Sequence, residues 1–390
     1  MTDTPTIPPA GRQVDPAEAR YREELAFLAA WDEGARPYGW RLTPRAVVTF
    51  VMGSGDETLR PPKGAKTNGV PSALKIGPKF IGDRGLVERC VVTLAGDRGL
   101  LLVGEPGTAK SMLSELRGAA VSGISSLTVQ GTAGTTEDQL RYGWNYALLL
   151  AKGPSQEALV PSPVLQAMRR GALARIEEVT RCLPEVQDAL VSILSERRLA
   201  IPELAGETGD ATEYAAPGFN VIATANLRDR GVSEMSAALK RRFNFELVEP
   251  IADRKAEVAL VRRQAASRVE ASGARFDVDE AVLDVLVTAF RDLRGGRSDE
   301  GWAVERPSTV LSTAEAVGVA SSLGIHAAYL GGDRDVLSMV PGHLLGVVRK
   351  DDPLDQGRLL GYWDAVVKRR AESGNRTWKR LWELRSVIEG

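Results

Sequence analysis

Short apolar runs alternate with helical patterns between about residues 80 and 250. Five of these runs have the length and composition of buried strands and are followed by turn residues or a helix start. They are Gly99–Val103, Ser125–Val129, Ala172–Ile176, Phe219–Ala225 and Phe243–Leu247. Buried strands that alternate with helices predict an α/β fold with a parallel, doubly wound sheet.

The segments on either side of this pattern have a different character. Residues 1–75 are predicted to be an N-terminal tail and small helical region, with a Pro- and Thr-rich tail, a helix over Ala17–Trp31, a short element at Thr43–Val51 and an extended connection at Arg60–Pro71. The core is therefore expected at 76–250. From Ala252 onward helical periodicity replaces the strand pattern, which predicts an all-α lid and C-terminal domain over 251–390.

Composition excludes several classes of protein. The 50 basic and 51 acidic residues nearly cancel, so there is no global positive field to hold a nucleic acid. Cys90 and Cys182 form no CxxC pair, which argues against a disulfide framework or zinc site. The N-terminus has no leader pattern, and the apolar run Tyr146–Ala151 is too short to span a bilayer. We therefore expect a cytoplasmic protein with no membrane segment.

A phosphate-binding loop is predicted directly after the first strand. Small residues there would let backbone N–H groups wrap the phosphates, and the next helix would add its partial positive charge. Lys110 would reach the β- and γ-phosphates, and Ser111 would ligate Mg²⁺. Ala109 replaces the glycine of the commonest pattern, and a chance glycine loop is the competing interpretation. The predicted phosphate-binding residues are Gly104, Glu105, Pro106, Gly107, Thr108, Ala109, Lys110 and Ser111.

Two acidic residues end the third strand, at the position of a Walker B motif. Glu177 would hold Mg²⁺, and Glu178 would polarise the attacking water. The first acid of this motif is usually aspartate, so Glu177 moves the carboxylate outward by one methylene. A strand-end pair that caps the next helix is the alternative interpretation.

Further catalytic candidates follow in chain order. Asn226 closes the fourth strand and could hold the lytic water, although such an asparagine is more often a turn former. Arg241 and Arg242 precede the fifth strand. In related motors an arginine at this position reaches the neighbouring subunit's γ-phosphate, and a basic helix end that complements the helix dipole is the alternative.

These motifs in this order resemble the AAA+ family, and GEPGTAKS, ALKRRF and PEVQDALVSILSERR are most similar to its MoxR-like branch. The resemblance implies a P-loop AAA+ core, an all-α lid, ATP and Mg²⁺ as cofactors, and a homo-oligomer, usually a hexameric ring. It assigns sensor 1 to Asn226 and the arginine finger to Arg242. It places Thr309 at the sensor 2 position, where an arginine is usual, so that either Arg306 substitutes or the contact is absent.

The resemblance also assigns two inserts that face the central pore of such rings. Trp144–Gly171 corresponds to a helix-2 insert and Leu199–Gly218 to a pre-sensor hairpin, while ordinary surface loops are the alternative. The expected function is chaperone-like remodelling of a protein partner, which in MoxR relatives often includes a von Willebrand factor A protein. An MCM-like nucleic-acid motor is the main alternative, but the acidic segment Glu203–Glu213 argues against it. A nucleotide-gated scaffold with slow hydrolysis is the third.

Overall fold

The computed structural model describes residues 13–64, 69–205, 211–226, 233–331, 335–350 and 352–389. In these ranges it has nine strands, five of which form a central sheet. The first 12 residues of the predicted tail, residues 65–68 of the predicted connection and residues 206–210 of the predicted hairpin lie outside these ranges. The strands are β1 (Gly99–Val103), β2 (Thr128–Gln130), β3 (Tyr142–Trp144), β4 (Leu159–Pro161), β5 (Leu173–Glu177), β6 (Arg198–Ala200), β7 (Thr212–Tyr214), β8 (Asn220–Ala225) and β9 (Phe243–Leu247).

The central sheet has the order β2-β5-β8-β1-β9, and all of its neighbouring strands are parallel. This confirms the predicted parallel α/β sheet. Two further pairs are antiparallel, β3 with β4 and β6 with β7. β4 and β7 lie within the two predicted inserts, whereas β3 and β6 begin just before them.

Three strands differ from their predicted bounds by one to three residues. The strand predicted at Ser125–Val129 begins only at Thr128. The Ser125 carbonyl instead accepts a hydrogen bond from the Arg175 side chain, and the Thr128 N–H donates to the Ser126 carbonyl. The strand predicted at Ala172–Ile176 is displaced by one residue, and the one predicted from Phe219 begins one residue later.

Contacts divide the chain into two units, the first of which holds the sheet. Unit 1 comprises residues up to Gly104 and Lys110–Val248. Its helices are α1 (Ala17–Arg20), α2 (Arg22–Trp31), α3 (Pro44–Met52), α4 (Arg84–Ala95), α5 (Lys110–Arg117), α6 (Glu137–Leu140), α7 (Tyr146–Lys152), α8 (Pro163–Arg170), α9 (Pro184–Glu196) and α10 (Ala237–Lys240). The helix predicted over Ala17–Trp31 is interrupted at Tyr21, whose backbone leaves the helical region.

The N-terminal helices of unit 1 share a core with the sheet. Phe27 and Phe50 belong to the same buried cluster as Leu100, Leu102 and Leu113. Leu100 and Leu102 lie on β1, and Leu113 lies on the helix that follows the predicted phosphate-binding loop. The N-terminal segment therefore packs against the elements that carry this loop.

Local sequence signals explain where helix α8 begins and ends. The Ser162 side chain accepts a hydrogen bond from the Leu165 N–H, and Pro163 occupies the first helical position, where its missing N–H costs nothing. Gly171 ends the helix with φ of 61°, a conformation that glycine adopts without penalty. The chain then turns directly into β5, which carries the predicted acidic pair.

Unit 2 comprises Glu105–Ala109 and Glu249–Gly390. It confirms the predicted all-α region, and its core contains Phe290, Leu323 and Trp363. Among the residues described, no helix is both long and apolar enough to cross a membrane. The helices are α11 (Arg254–Ala271), α12 (Glu280–Gly295), α13 (Thr313–His326), α14 (Val340–Val348), α15 (Asp355–Tyr362), α16 (Lys368–Glu372), α17 (Arg376–Glu383) and α18 (Ser386–Glu389).

Candidate nucleotide-binding site

The predicted phosphate-binding loop connects β1 to α5. Gly107 and Ala109 both have left-handed backbones, with φ of 75° and 68°. This conformation costs a non-glycine residue about 1–2 kcal/mol, which explains why glycine is the commoner residue at the position of Ala109. Lys110 begins α5, is buried, and donates from Nζ to the Gly104 carbonyl at 2.8 Å.

The predicted metal ligands Ser111 and Glu177 are in direct contact. The Ser111 hydroxyl donates to Glu177 Oε2 at 2.7 Å, and the Thr224 hydroxyl donates to the same oxygen at 2.8 Å. The other carboxylate oxygen, Oε1, accepts from the Ser114 hydroxyl at 2.5 Å and from Arg175 Nη2 at 2.8 Å. Burial raises the pKa of the Glu177 carboxyl, but these hydrogen bonds and the Arg175 charge outweigh burial and hold the pKa below its ordinary value.

Sequence reasoning did not single out three residues of this network. Arg175 and Thr224 lie within apolar strands, and Ser114 lies one helical turn beyond Ser111. The available signal was a charged or polar side chain inside an otherwise apolar strand, because such a group is retained only where it finds partners. Which partners it finds depends on the neighbouring elements.

Glu178, the predicted water-polarising residue, follows β5 in a left-handed conformation with φ of 54°. Its backbone N–H donates to the Thr224 hydroxyl at 2.9 Å. Its Oε2 is buried and accepts no hydrogen bond from the described residues, although Arg181 Nε lies 3.9 Å away. A strained backbone and a buried carboxylate oxygen without a hydrogen bond are both features that concentrate at functional sites.

Asn226, the predicted sensor 1, is buried directly after β8. That strand lies between β5 and β1, with Ala223 opposite Ile176 and Ala225 opposite Val103. Asn226 therefore lies at the same carboxyl edge of the sheet as the acidic pair and the end of β1. In open α/β sheets this edge is the usual place for a ligand.

The predicted arginines lie at the opposite end of the strands, where β1 begins. The Arg242 carbonyl accepts from the N–H of Gly99, the first residue of β1. β1 has five residues, so its two ends are about 13 Å apart. Arg242 donates from Nε to the Ser195 hydroxyl at 2.7 Å and from Nη1 to the Ala238 carbonyl at 3.0 Å, whereas Arg241 is exposed. Neither arginine joins the Ser111–Glu177 network.

The two sensor 2 candidates belong to unit 2. Arg306 is exposed and donates from Nη2 to the Gly295 carbonyl at 2.6 Å, and Thr309 is half-buried. The assignment of sensor 2 to one of them stays a prediction.

The donor set at the carboxyl edge fits Mg²⁺. Mg²⁺ prefers oxygen ligands and binds through one or two carboxylates together with water and phosphate oxygens. Ser111 and Glu177 offer a hydroxyl and an ionised carboxylate in contact with each other. When bound there, Mg²⁺ would neutralise phosphate charge. Within the described ranges no group of three or more His, Cys, Asp or Glu side chains forms a metal-binding cluster.

Comparison with known proteins identifies the family. Residues 99–243 match the AAA domain of the dynein-related subfamily, and residues 255–389 match the YehL-like AAA+ ATPase C-terminal domain. The uncharacterized protein YehL of Escherichia coli strain K12 is 45% identical over 373 residues, which cover 96% of this chain and 97% of YehL. The chain belongs to the YehL-like AAA+ ATPases.

Other relatives are more distant. An uncharacterized protein of Staphylococcus haemolyticus is 28% identical over 198 residues, which cover 51% of this chain and 69% of that protein. A crystal structure of NtrX from Brucella abortus in complex with ADP is similar with a TM-score of 0.47 and 14% identity, covering 79% of this chain and 69% of NtrX.

Proposed function

We propose that the chain is an ATP-hydrolysing, MoxR-like AAA+ motor that works as a homo-oligomeric ring, usually hexameric, and remodels a protein partner. The observation that supports the proposal most directly is the hydrogen-bonded network at the carboxyl ends of the strands. It connects Ser111 of the P-loop helix to Glu177 and Thr224, and Thr224 to the backbone of Glu178. In such a network a hydroxyl and a carboxylate would hold Mg²⁺ while the neighbouring carboxylate acts on water.

Glu178 is proposed as the residue that orients the attacking water. Its Oε2 is buried and accepts no hydrogen bond from the described part of the chain, so it keeps the capacity to accept one from a bound water. Asn226 would help to hold this water from the next strand. Both residues follow the carboxyl ends of adjacent parallel strands.

Ring assembly is supported by the position of Arg242. An arginine at the amino edge of β1, with the phosphate-binding loop at the other end of that strand, is poorly placed to reach the phosphates of its own chain. An arginine finger supplied by a neighbouring subunit acts on charge that develops during phosphoryl transfer. We therefore propose that Arg242 acts in trans.

The exposed apolar surface of the first insert supports the proposal of a protein partner. Six of the seven residues of α7 are apolar, and none of the seven is buried. Tyr146 and Leu150 are 70% and 88% exposed. Apolar surface of this kind marks a protein-binding site more often than a nucleic-acid site, where basic groups dominate. A von Willebrand factor A domain protein and a cytoplasmic location remain expectations from the MoxR resemblance.

Glu178→Gln tests the catalytic part of the proposal. The variant should bind ATP with Mg²⁺ but hydrolyse it far more slowly, because it loses a role confined to the transition state. The exposed Glu185→Gln on α9 is the matched control and should keep wild-type turnover. Wild-type turnover in Glu178→Gln would contradict the water-activation role. A Lys110→Ala variant with unchanged ATP affinity would contradict the P-loop assignment.

Leu150→Ser tests the partner-binding part. Glu178→Gln with ATP should retain a protein partner in a pull-down, and the added Leu150→Ser should lose that partner while nucleotide affinity stays unchanged. Salt-sensitive DNA binding through α7 would instead favour a nucleic-acid motor.

A further inference from the structure

Arg175 is a charged residue in the middle of a buried strand. It lies on β5 with Thr128 of β2 on one side and Ile222 of β8 on the other, and it is 9% exposed. Removing a guanidinium from water is costly unless hydrogen bonds and an opposite charge compensate. The contacts of Arg175 therefore show how the cost of its burial is compensated.

All three guanidinium nitrogens of Arg175 donate hydrogen bonds. Nε donates to the Ser114 hydroxyl at 2.7 Å, and Nη1 donates to the Ser125 carbonyl at 2.6 Å. Nη2 donates to Glu177 Oε1 at 2.8 Å and to the Ser111 carbonyl at 3.2 Å. One side chain thus ties the Walker B carboxylate to the first turns of the P-loop helix and to the segment before β2.

The two oxygens of Glu177 have separate partners as a result. Oε1 faces Arg175 and Ser114, whereas Oε2 faces Ser111 and Thr224. Arg175 and Glu177 are two residues apart on β5, so both side chains lie on the same face of the sheet, the face that α5 covers. The contacts at Oε1 therefore fix the direction in which Oε2 points.

We propose that Arg175 is a positioning residue for the Mg²⁺ site, and that it is the reason a glutamate serves at position 177. This inference rests on the proposed function. Arg175 and Ser114 hold Oε1, and the extra methylene of glutamate lets Oε2 reach the Ser111 hydroxyl at the same time. An aspartate is shorter by one carbon–carbon bond, about 1.5 Å, and cannot span both sets of partners without a shift of the backbone.

The test measures Mg²⁺ dependence of nucleotide binding in the full chain. A fluorescent, non-hydrolysable ATP analogue is held at fixed concentration while MgCl₂ is titrated, and its affinity is measured separately in EDTA. Arg175→Met should raise the Mg²⁺ midpoint about 10–100-fold, the usual effect of removing a partner of a metal ligand, with little change in EDTA. Arg175→Lys should recover part of the loss, because it keeps the charge but has fewer donors.

Arg370→Met is the matched control for loss of a buried arginine. Arg370 is paired with Asp292 at 2.7 Å in unit 2. This variant should melt at a lower temperature and keep the wild-type Mg²⁺ midpoint. The same midpoint in Arg175→Met and wild type would overturn the inference and leave nucleotide binding intact. No binding of the analogue to wild type at any Mg²⁺ concentration would instead contradict the proposed function.

Glu177→Asp decides the question if Arg175→Met does not fold. It removes neither charge, so it should fold, and its Mg²⁺ midpoint should rise about 10-fold. Where Arg175→Met does fold, Glu177→Asp in that background should have a smaller effect, since the contact at Oε1 is already gone. A wild-type midpoint in Glu177→Asp would show that Arg175 does not set the position of this carboxylate, and it would overturn the inference.

Discussion

Gly107→Ala tests how the phosphate-binding loop is built. Gly107 has φ of 75°, and a Cβ added there would lie 2.3 Å from both Cβ and Oγ of Ser312. Ser312 caps α13 in a reciprocal pair, in which its hydroxyl accepts from the Glu315 N–H while the Glu315 carboxylate accepts from the Ser312 N–H. The alanine must therefore strain the loop and displace the cap.

The magnitude is the sum of two costs. A left-handed alanine costs about 1–2 kcal/mol, and losing a serine N-cap costs about 0.5–2 kcal/mol. We expect Gly107→Ala to lower the free energy of unfolding by about 1.5–4 kcal/mol. Gly301→Ala is the matched control, because Gly301 has φ of 90° and its added Cβ would meet nothing within 4 Å. This control should lose about 1–2 kcal/mol.

Equilibrium urea unfolding measures the totals, and hydrogen exchange of the first turn of α13 reports the cap itself. Exchange there should accelerate in Gly107→Ala and stay unchanged in Gly301→Ala. Ser312→Gly should rescue Gly107→Ala, because glycine at an N-cap costs only a few tenths of a kcal/mol and removes the clashing atoms. Equal unfolding and exchange in Gly107→Ala and Gly301→Ala, or no rescue, would refute the reasoning.

Two further predictions concern the arginine finger and the backbone of the predicted phosphate-binding loop. Arg242→Ala should bind ATP and lose about 10³–10⁵ in kcat, while Arg241→Ala should keep most of its turnover. Mixing Arg242→Ala with Lys110→Ala subunits should recover partial hydrolysis. A larger loss of kcat in Arg241→Ala than in Arg242→Ala would assign the finger to Arg241. Ala109→Gly should leave nucleotide affinity unchanged and raise the free energy of unfolding by about 1–2 kcal/mol, because it removes a left-handed alanine. Loss of ATP binding in that variant would contradict this account of the loop.

The sequence alone was sufficient for features that depend on local pattern. Apolar strands followed by turns predicted the parallel sheet, and β1 and β9 have the predicted bounds. The order of Lys110, Glu177 and Asn226 along the chain led to the AAA+ family. These inferences succeeded because a P-loop motif is one continuous segment and because the candidate residues Glu177, Glu178 and Asn226 lie at or directly after the ends of strands.

The tertiary structure decided which side chains meet across elements. The period of two in β5 places Arg175 on the same face as Glu177, but it does not reveal that α5 covers this face with Ser111 and Ser114. Nor could the sequence show that Arg242 lies at the start of β1, because that position depends on β9 pairing with β1. Strand order and helix packing are set by contacts between distant segments, and these contacts fix the position of the Glu177 carboxylate.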